Sequence, residues 1–328
     1  MKTGISYFGN RNPEHFRRDA EVMMRNHCTY VVHTFSETDL AFYAGTMKEI
    51  VAISHEAGLE VWVDPWGVGQ VFGGETFSRL IATHLDHRQV SAKGQSLAIA
   101  CINNPDFRRF MTHWTDTAIE LGADVLFWDE PHFHIFEKGD DDWACHCIHC
   151  EIAFKAASGR DLPLELTPEV RKFRDHSIVT FLTELCDRVK ARGKRNAVCL
   201  LPPYIVPDCL ADWDTVARIK SLDIIGTDPY WHLGGIKAQE IVREYSRKIA
   251  DLARLYNKEA QIWILAFRIK QGTESDLARA CEAAYKEGIR NLAAWSYLGT
   301  GYMSHLASDN PQLVWETLGR AYQKLRNL

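Results

Sequence analysis

Eight times along the chain, a short apolar run rich in β-branched and aromatic residues is followed by a longer segment of helical periodicity. This alternation constrains the fold more than any other feature. A strand buried on both faces and followed by a crossover helix is the repeating unit of a parallel sheet. The runs are Thr3–Phe8, Thr29–Thr34, Leu59–Asp64, Val125–Asp129, Ala197–Leu201, Ile224–Thr227, Gln261–Ala266 and Asn291–Ser296. Helical periodicity follows each, for example over Glu37–Ala57, Ala238–Tyr256 and Glu274–Lys286. Eight such units in 328 residues predict an α/β fold, a (β/α)8 TIM barrel, as a single domain over residues 1–328. The length beyond an ordinary barrel falls in two long loops, 67–104 after the third strand and 131–163 after the fourth. A doubly wound open sheet shares the alternation, but no G-x-G-x-x-G or Walker-type loop follows the first strand, where such a fold cradles phosphate.

The 38 Lys and Arg against 43 Asp and Glu leave a formal charge of −5 with no basic run. Nucleic-acid and anionic membrane surfaces need clustered cations, so neither is an expected partner. No apolar stretch reaches membrane-spanning length, and Met1–Gly9 runs straight into a strand, so a cytoplasmic location is expected. The nine cysteines are odd in number, and Cys186, Cys199 and Cys281 sit alone within apolar runs, which argues against a disulfide framework.

In a barrel, chemistry sits at the carboxyl ends of the strands. Here those ends combine acids with aromatics. The first ends at Tyr7-Phe8-Gly9-Asn10, the second at His33-Thr34-Phe35, the third at Asp64-Pro65-Trp66, and the fourth at Trp128-Asp129-Glu130-Pro131-His132. The later ones end at Pro203-Tyr204, Asp228-Pro229-Tyr230-Trp231-His232, Phe267-Arg268 and Trp295-Ser296-Tyr297. Aromatic faces stack on the C–H faces of sugar rings while carboxylates bind hydroxyls or move protons, so a small-molecule carbohydrate substrate is expected. His33, Trp66, Trp128, His132, Tyr204, Tyr230, Trp231, Arg268 and Trp295 are the candidate substrate-binding residues. Glu130 is the leading candidate acid, because an apolar strand delivers it beside Asp129 at the barrel mouth, where Pro131 ends the strand's hydrogen bonding. The same pair also reads as a solvated turn or helix cap. Apolar walls and a neighbouring charge would raise the pKa of one acid, as a general acid at neutral pH requires.

The Asp129-Glu130 pair after the fourth strand and Trp295 at the eighth resemble the (β/α)8-barrel glycoside hydrolases of clan A. By that resemblance, Glu130 protonates the glycosidic oxygen and Trp295 floors the sugar site. The retaining enzymes of the clan carry a glutamate nucleophile on the seventh strand. Here that strand reads Trp263-Ile-Leu-Ala-Phe-Arg268 with no acid, and Glu274 reads as a helix start. Asp228 and Asp64 are then the candidate second carboxylates. A gap of ~6.5–9.5 Å between Asp228 and Glu130 would permit inversion by an activated water. Alternatively, Asp129 orients a substrate N-acetyl group for substrate-assisted retention, as the Asp-Glu pairs of hexosaminidases do.

Cys145-His-Cys147-Ile-His-Cys150 places three thiols in a polar loop at chelating spacing, which predicts Zn²⁺. Cys101 is the candidate fourth ligand, with Cys28 and Cys209 as alternatives, and His146 or His149 could replace a thiol. A distant Cys followed 44 residues later by C-x-C-x₂-C resembles the zinc site of the family 42 β-galactosidases. That resemblance favours Cys101 and implies a homo-oligomer. Four thiolates leave no open position, so the zinc would be structural.

Two other classes remain at this stage. One is a metal-dependent isomerase, lyase or hydrolase using His33, Asp64, Glu130 and His232 as ligands, with His134 also near a strand end. The other is a sugar-binding barrel without hydrolysis. Gly67, Gly69, Gly73 and Gly74 with Glu75 lack the P-loop lysine and read as a lid. Trp114, Trp213 and Trp315 fall within helical segments and predict packing of helices on the barrel.

Overall fold

A computed structural model describes residues 1–9, 11–137, 140–205, 212–232, 235 and 237–328; Asn10 and Cys209 lie outside the described residues. Eight parallel strands carry the fold. They are β1 (Lys2–Tyr7), β2 (Tyr30–Thr34), β3 (Glu60–Asp64), β4 (Val125–Asp129), β5 (Arg195–Leu200), β6 (Ile224–Thr227), β7 (Glu259–Leu265) and β8 (Asn291–Trp295). They close in the order β1-β8-β7-β6-β5-β4-β3-β2, so the sheet is a barrel and not an open doubly wound sheet. Observed strand limits differ from the sequence reading by at most two residues.

Alternation along each strand sorts side chains between two cores. Tyr30, Val32, Trp62, Val125, Phe127, Cys199 and Trp263 belong to a small cluster that fills the barrel. Val31, Val63, Leu126, Trp128 and Ile264 join the larger layer between strands and helices. The interior is tight. The Tyr30 ring lies 2.1 Å from where a Cβ would stand at Gly4, so only glycine lets β1 close beside it. Trp114, Trp213 and Trp315 pack in the outer layer as expected, and the Trp114 indole donates to the Phe35 carbonyl (3.0 Å).

Four of the barrel helices start the same way, with a side-chain cap followed by proline: Asn12-Pro13, Asn104-Pro105, Thr167-Pro168 and Asn310-Pro311. The cap oxygen accepts free first-turn N–H groups, and proline has no N–H to leave unpaired. The helix expected from Glu37 instead begins as a π turn over Asp39–Tyr43 and becomes α-helical over Ala44–Glu56. Asp39 is held there by Ser36 and Arg11, while Glu37 turns away to the next loop.

The two long loops position the site. The one after β3 carries a short helix (Arg79–Thr83) and an antiparallel hairpin of Arg88–Val90 with Ser96–Ala100. Buried Glu37 fixes its course, accepting from the Gly69 N–H (2.9 Å), the Ser78 hydroxyl (2.5 Å) and the Leu80 N–H (2.7 Å). The loop after β4 joins this hairpin through the N–H of His146 to the carbonyl of Val90 (2.7 Å) and the N–H of Ala92 to the carbonyl of Trp143 (2.9 Å). Among the described residues, no helix is long and apolar enough to cross a membrane.

Candidate active site

β4 releases its chain at Asp129, and Glu130 follows with a φ of 43°, a left-handed conformation uncommon for a residue with a side chain. Its N–H donates to the Cys199 carbonyl on β5 (3.0 Å), and its carbonyl bonds the His132 ring (2.6 Å), so both sides of the turn are fixed. The turn aims the Glu130 carboxyl into a cleft at the barrel mouth. Gly74, Glu75, Phe127, Asp129, Glu130, Cys199, Asp228, Tyr230, Trp263, Phe267 and Trp295 line it.

Gly73 brings the β3 loop down onto the acids. A Cβ there would stand 2.5 Å from Asp129 Oδ2 and 3.0 Å from Glu130 Oε2, and the Gly73 N–H donates to the Asp129 carbonyl (3.0 Å). Next to it, the Trp66 ring occupies the place of a Cβ at Gly74, and its indole N–H donates to Glu75 Oε2 (3.2 Å). Phe8 stacks on both Trp66 (5.7 Å between centroids) and Trp295 (5.1 Å), making a continuous aromatic wall.

Five acids therefore share a small volume, and each is shifted upward. Burial raises Glu130 well above the usual carboxylate range, and the charge of Asp228 and a hydrogen bond shared with it push the same way. Asp228 is pushed up to about 7, by burial first and then by the charge of Asp129, with the Glu130 hydrogen bond opposing. Burial and the neighbouring carboxylates raise Asp129 and Asp64 as well. Asp64 lies 1% exposed, with Oδ1 lacking a partner. Glu75 is raised by burial but relieved by the Trp66 N–H and by the charge of Arg268. Crowded carboxyls with little counter-charge hold protons, and a proton held at neutral pH is what a general acid delivers.

Glu130 and Asp228 stand near enough for each to act on the other's pKa, the contact raising Glu130 and opposing the rise of Asp228. At β7, Trp263 and Phe267 face the cleft where an acid would stand in the clan, and the Trp263 indole N–H is buried without a partner. Glu274 immediately precedes the helix Ser275–Lys286, and its side chain accepts from the Gly272 N–H (2.8 Å).

Several expected binding residues face elsewhere. His33 points outward from β2 to the Ser54 hydroxyl (2.9 Å), and burial depresses its pKa to about 3, so it neither touches the cleft nor carries charge at neutral pH. Trp128 points into the helix layer, where its indole donates to Asn196 (3.1 Å). Trp231 also packs in the outer core, and Tyr204 stands behind Tyr230, donating its hydroxyl to the Tyr230 carbonyl (3.1 Å). His132 braces the Glu130 backbone, and His232 stacks edge-on against Phe267. Arg268 sits at the rim, bonded to the carbonyl and ring of His305. Phe127, Cys199, Trp263 and Phe267 are lining residues that the sequence did not single out, and Glu75, expected in a lid, lines the cleft as well. For Phe127 the signal was present: if Asp129 faces inward, two-residue alternation turns Phe127 inward and Trp128 outward.

The four cysteines Cys101, Cys145, Cys147 and Cys150 are buried, with their sulfurs all within 4.8 Å of one another. Cys101 Sγ lies 3.5 Å from Cys150 Sγ and 3.4 Å from Cys147 Sγ, close to the ~3.8 Å edge of a tetrahedron with 2.3 Å metal–sulfur bonds. The Asn103 amide donates to Cys150 Sγ (3.3 Å), as suits a sulfur bearing charge. His146 is engaged with Glu151 and the Leu162 carbonyl, and Cys28 is not among the grouped thiols, so neither joins the set. This donor set suits Zn²⁺. His33, Asp64, Glu130 and His232 are not among the grouped metal donors of the described residues, and His33 points away from the cleft.

No protein-family model matches the sequence, and no curated protein does. Many solved structures match the fold. The endo-1,4-β-mannanase of Rhizomucor miehei superposes with a TM-score of 0.62 at 9% identity, covering 98% of this chain and 95% of that one. A GH5_18 protein of Streptomyces cattleya, in complex with GlcNAc, gives 0.59 at 11%, covering 99% and 80%. A D-psicose 3-epimerase of Clostridium cellulolyticum gives 0.52 at 12%, covering 100% and 99%. The shared feature is the (β/α)8 barrel. Since hydrolases and an epimerase share it, the reaction must be argued from the cleft.

Proposed function

We propose that this protein is a glycoside hydrolase acting on a small oligosaccharide or glycoside, with Glu130 as the general acid. The observation that carries the reading is the Glu130 carboxyl, held in a left-handed turn at the end of β4, raised in pKa and placed among aromatic walls. In the proposed step, Glu130 gives its proton to the glycosidic oxygen as the bond to the anomeric carbon breaks, and water completes hydrolysis. Asp228 shares the Glu130 proton in the resting site, and Asp129 orients the group that meets positive charge at the anomeric carbon. Asp228 would activate the attacking water if the reaction inverts, and Asp129 would orient a 2-acetamido group if it retains by substrate assistance. Asp64 is buried beside them with Oδ1 lacking a partner, and the charges of Asp129 and Glu130 help burial raise its pKa. Trp295, Trp66 and Tyr230 would stack on the sugar, with Arg268 at the rim.

The four cysteines would hold a structural Zn²⁺ that pins the two long loops together and supplies folding energy without an open coordination position. None of the eight described cysteines is in a disulfide. The test is turnover on a panel of aryl glycosides that includes 2-acetamido sugars, comparing wild type with Glu130→Gln while counting zinc in both. Loss of turnover with one zinc retained supports the proposal, and turnover that survives the substitution overturns the role of Glu130. The missing β7 acid favours one second reading, a sugar-binding barrel, in which Glu130→Gln would leave glycan affinity unchanged and no substrate would turn over.

A further inference from the structure

The 3₁₀ turn Leu85–His87 precedes the hairpin of the β3 loop and, with His84, presents the sequence His-x-Asp-His. One ligand atom from each of His84, Asp86 and His87 lies within 4.8 Å of the others. The two imidazoles stack with centroids 4.9 Å apart and planes 18° from parallel. The main chain of the turn is anchored on both sides. The His87 N–H donates to the His84 carbonyl (3.1 Å), the Asp86 carbonyl accepts from the Asn104 amide (3.1 Å), and the His87 carbonyl accepts from the Cys101 N–H (2.8 Å). His87 is only 7% exposed, yet its Nδ1 is buried with no hydrogen-bond partner. A buried imidazole nitrogen gives up its hydration without replacement unless something accepts its lone pair or proton. Arg109, a cation near the turn, is paired with Asp106.

We propose that His84, Asp86 and His87 form a second metal site, for an exchangeable divalent transition ion such as Zn²⁺, Ni²⁺ or Cu²⁺, separate from the four cysteines and from the acidic cleft. Two imidazoles and a carboxylate select such ions over Ca²⁺ or Mg²⁺, which prefer all-oxygen shells. Ligand atoms bound at ~2.1 Å stand at most ~4.2 Å apart, so small rotations of the exposed His84 and Asp86 side chains complete the site. Three protein ligands leave positions open to water, which makes the ion weaker-bound and more chelator-labile than one in a four-thiolate shell. Through the His87 carbonyl, the ion would steady the turn from which the Cys101 main chain hangs.

The test is equilibrium dialysis of the full chain against Zn²⁺ with metal counting, and Cu²⁺ titration followed by electron paramagnetic resonance. Wild type is compared with His84→Ala and Asp86→Asn, both at exposed positions where the fold tolerates change. Wild type should hold one equivalent more than His84→Ala, release it to EDTA, and show Cu²⁺ coupled to two nitrogens. Each variant should lose at least tenfold in affinity for that equivalent. Equal counts in wild type and variants, or a Cu²⁺ signal that survives both substitutions, would mean an adventitious ion only and overturn the site. Because the readout is a difference between wild type and variant, it does not depend on whether the cysteines hold zinc or whether the protein turns over a glycoside.

Discussion

Replacing Gly73 with alanine adds one methyl group where the β3 loop presses on the two acids of β4. The new Cβ would stand 2.5 Å from Asp129 Oδ2, against an ordinary contact of 3.4 Å or more, so about 0.9 Å must be found. The backbone cannot easily supply it, because the Gly73 N–H is tied to Asp129 (3.0 Å) and its carbonyl to the Gly67 N–H (2.8 Å). The carboxyls therefore move. A displacement near 1 Å at reacting groups costs roughly 100-fold in rate, or about 2.7 kcal/mol of barrier. Gly73 does not have a positive φ, so alanine adds crowding without backbone strain. We expect kcat on the best aryl glycoside to fall roughly 100-fold with little change in melting temperature. The control is Gly45→Ala, on the helix Ala44–Glu56, where a Cβ meets nothing within 4 Å and should stabilise by about 0.5–1 kcal/mol with unchanged kcat. A Gly73→Ala enzyme with kcat within twofold of wild type would refute the claim that this loop sets the position of the acids.

Two further outcomes follow from the cleft. Asp228 is raised from 3.8 to about 7 on folding, so the folded state binds more protons than the unfolded chain between those values, and its contribution to stability falls as pH rises through that window. Asp228→Asn should raise the melting temperature more at pH 8 than at pH 4, and an equal shift at both would contradict the burial of that charge. Strand parity makes the second outcome: Trp263→Ala should raise KM, whereas Trp128→Ala should cost about 3–5 kcal/mol of stability and leave KM unchanged in protein that remains folded. Urea melts and Michaelis plots separate the two, and a KM effect from Trp128 would place it in the cleft after all.

Local order was legible because it depends on near neighbours. Eight apolar runs, each followed by helical periodicity, determine the barrel strands to within two residues, since hydrogen-bonding and burial preferences act over a few positions, while the helix expected from Glu37 becomes α-helical only at Ala44. The cysteine spacing likewise identified a thiol set that folding brings together, and the Asp129-Glu130 pair identified the strand end where the acids gather. What the chain does at long range was decided by closure of the barrel. The face on which His33 or Trp128 lies depends on register against neighbouring strands, so a one-residue choice moves an indole from the cleft to the helix layer. Glu75 reaches the cleft only because Glu37, 38 residues earlier, fixes the loop that carries it. Glu130 and Asp228, 98 residues apart, line one cleft only when β4 and β6 converge at one barrel mouth. Sequence determined which groups this protein has to work with, and tertiary structure decided which of them meet, because contact and burial are properties of the closed barrel and not of any segment within it.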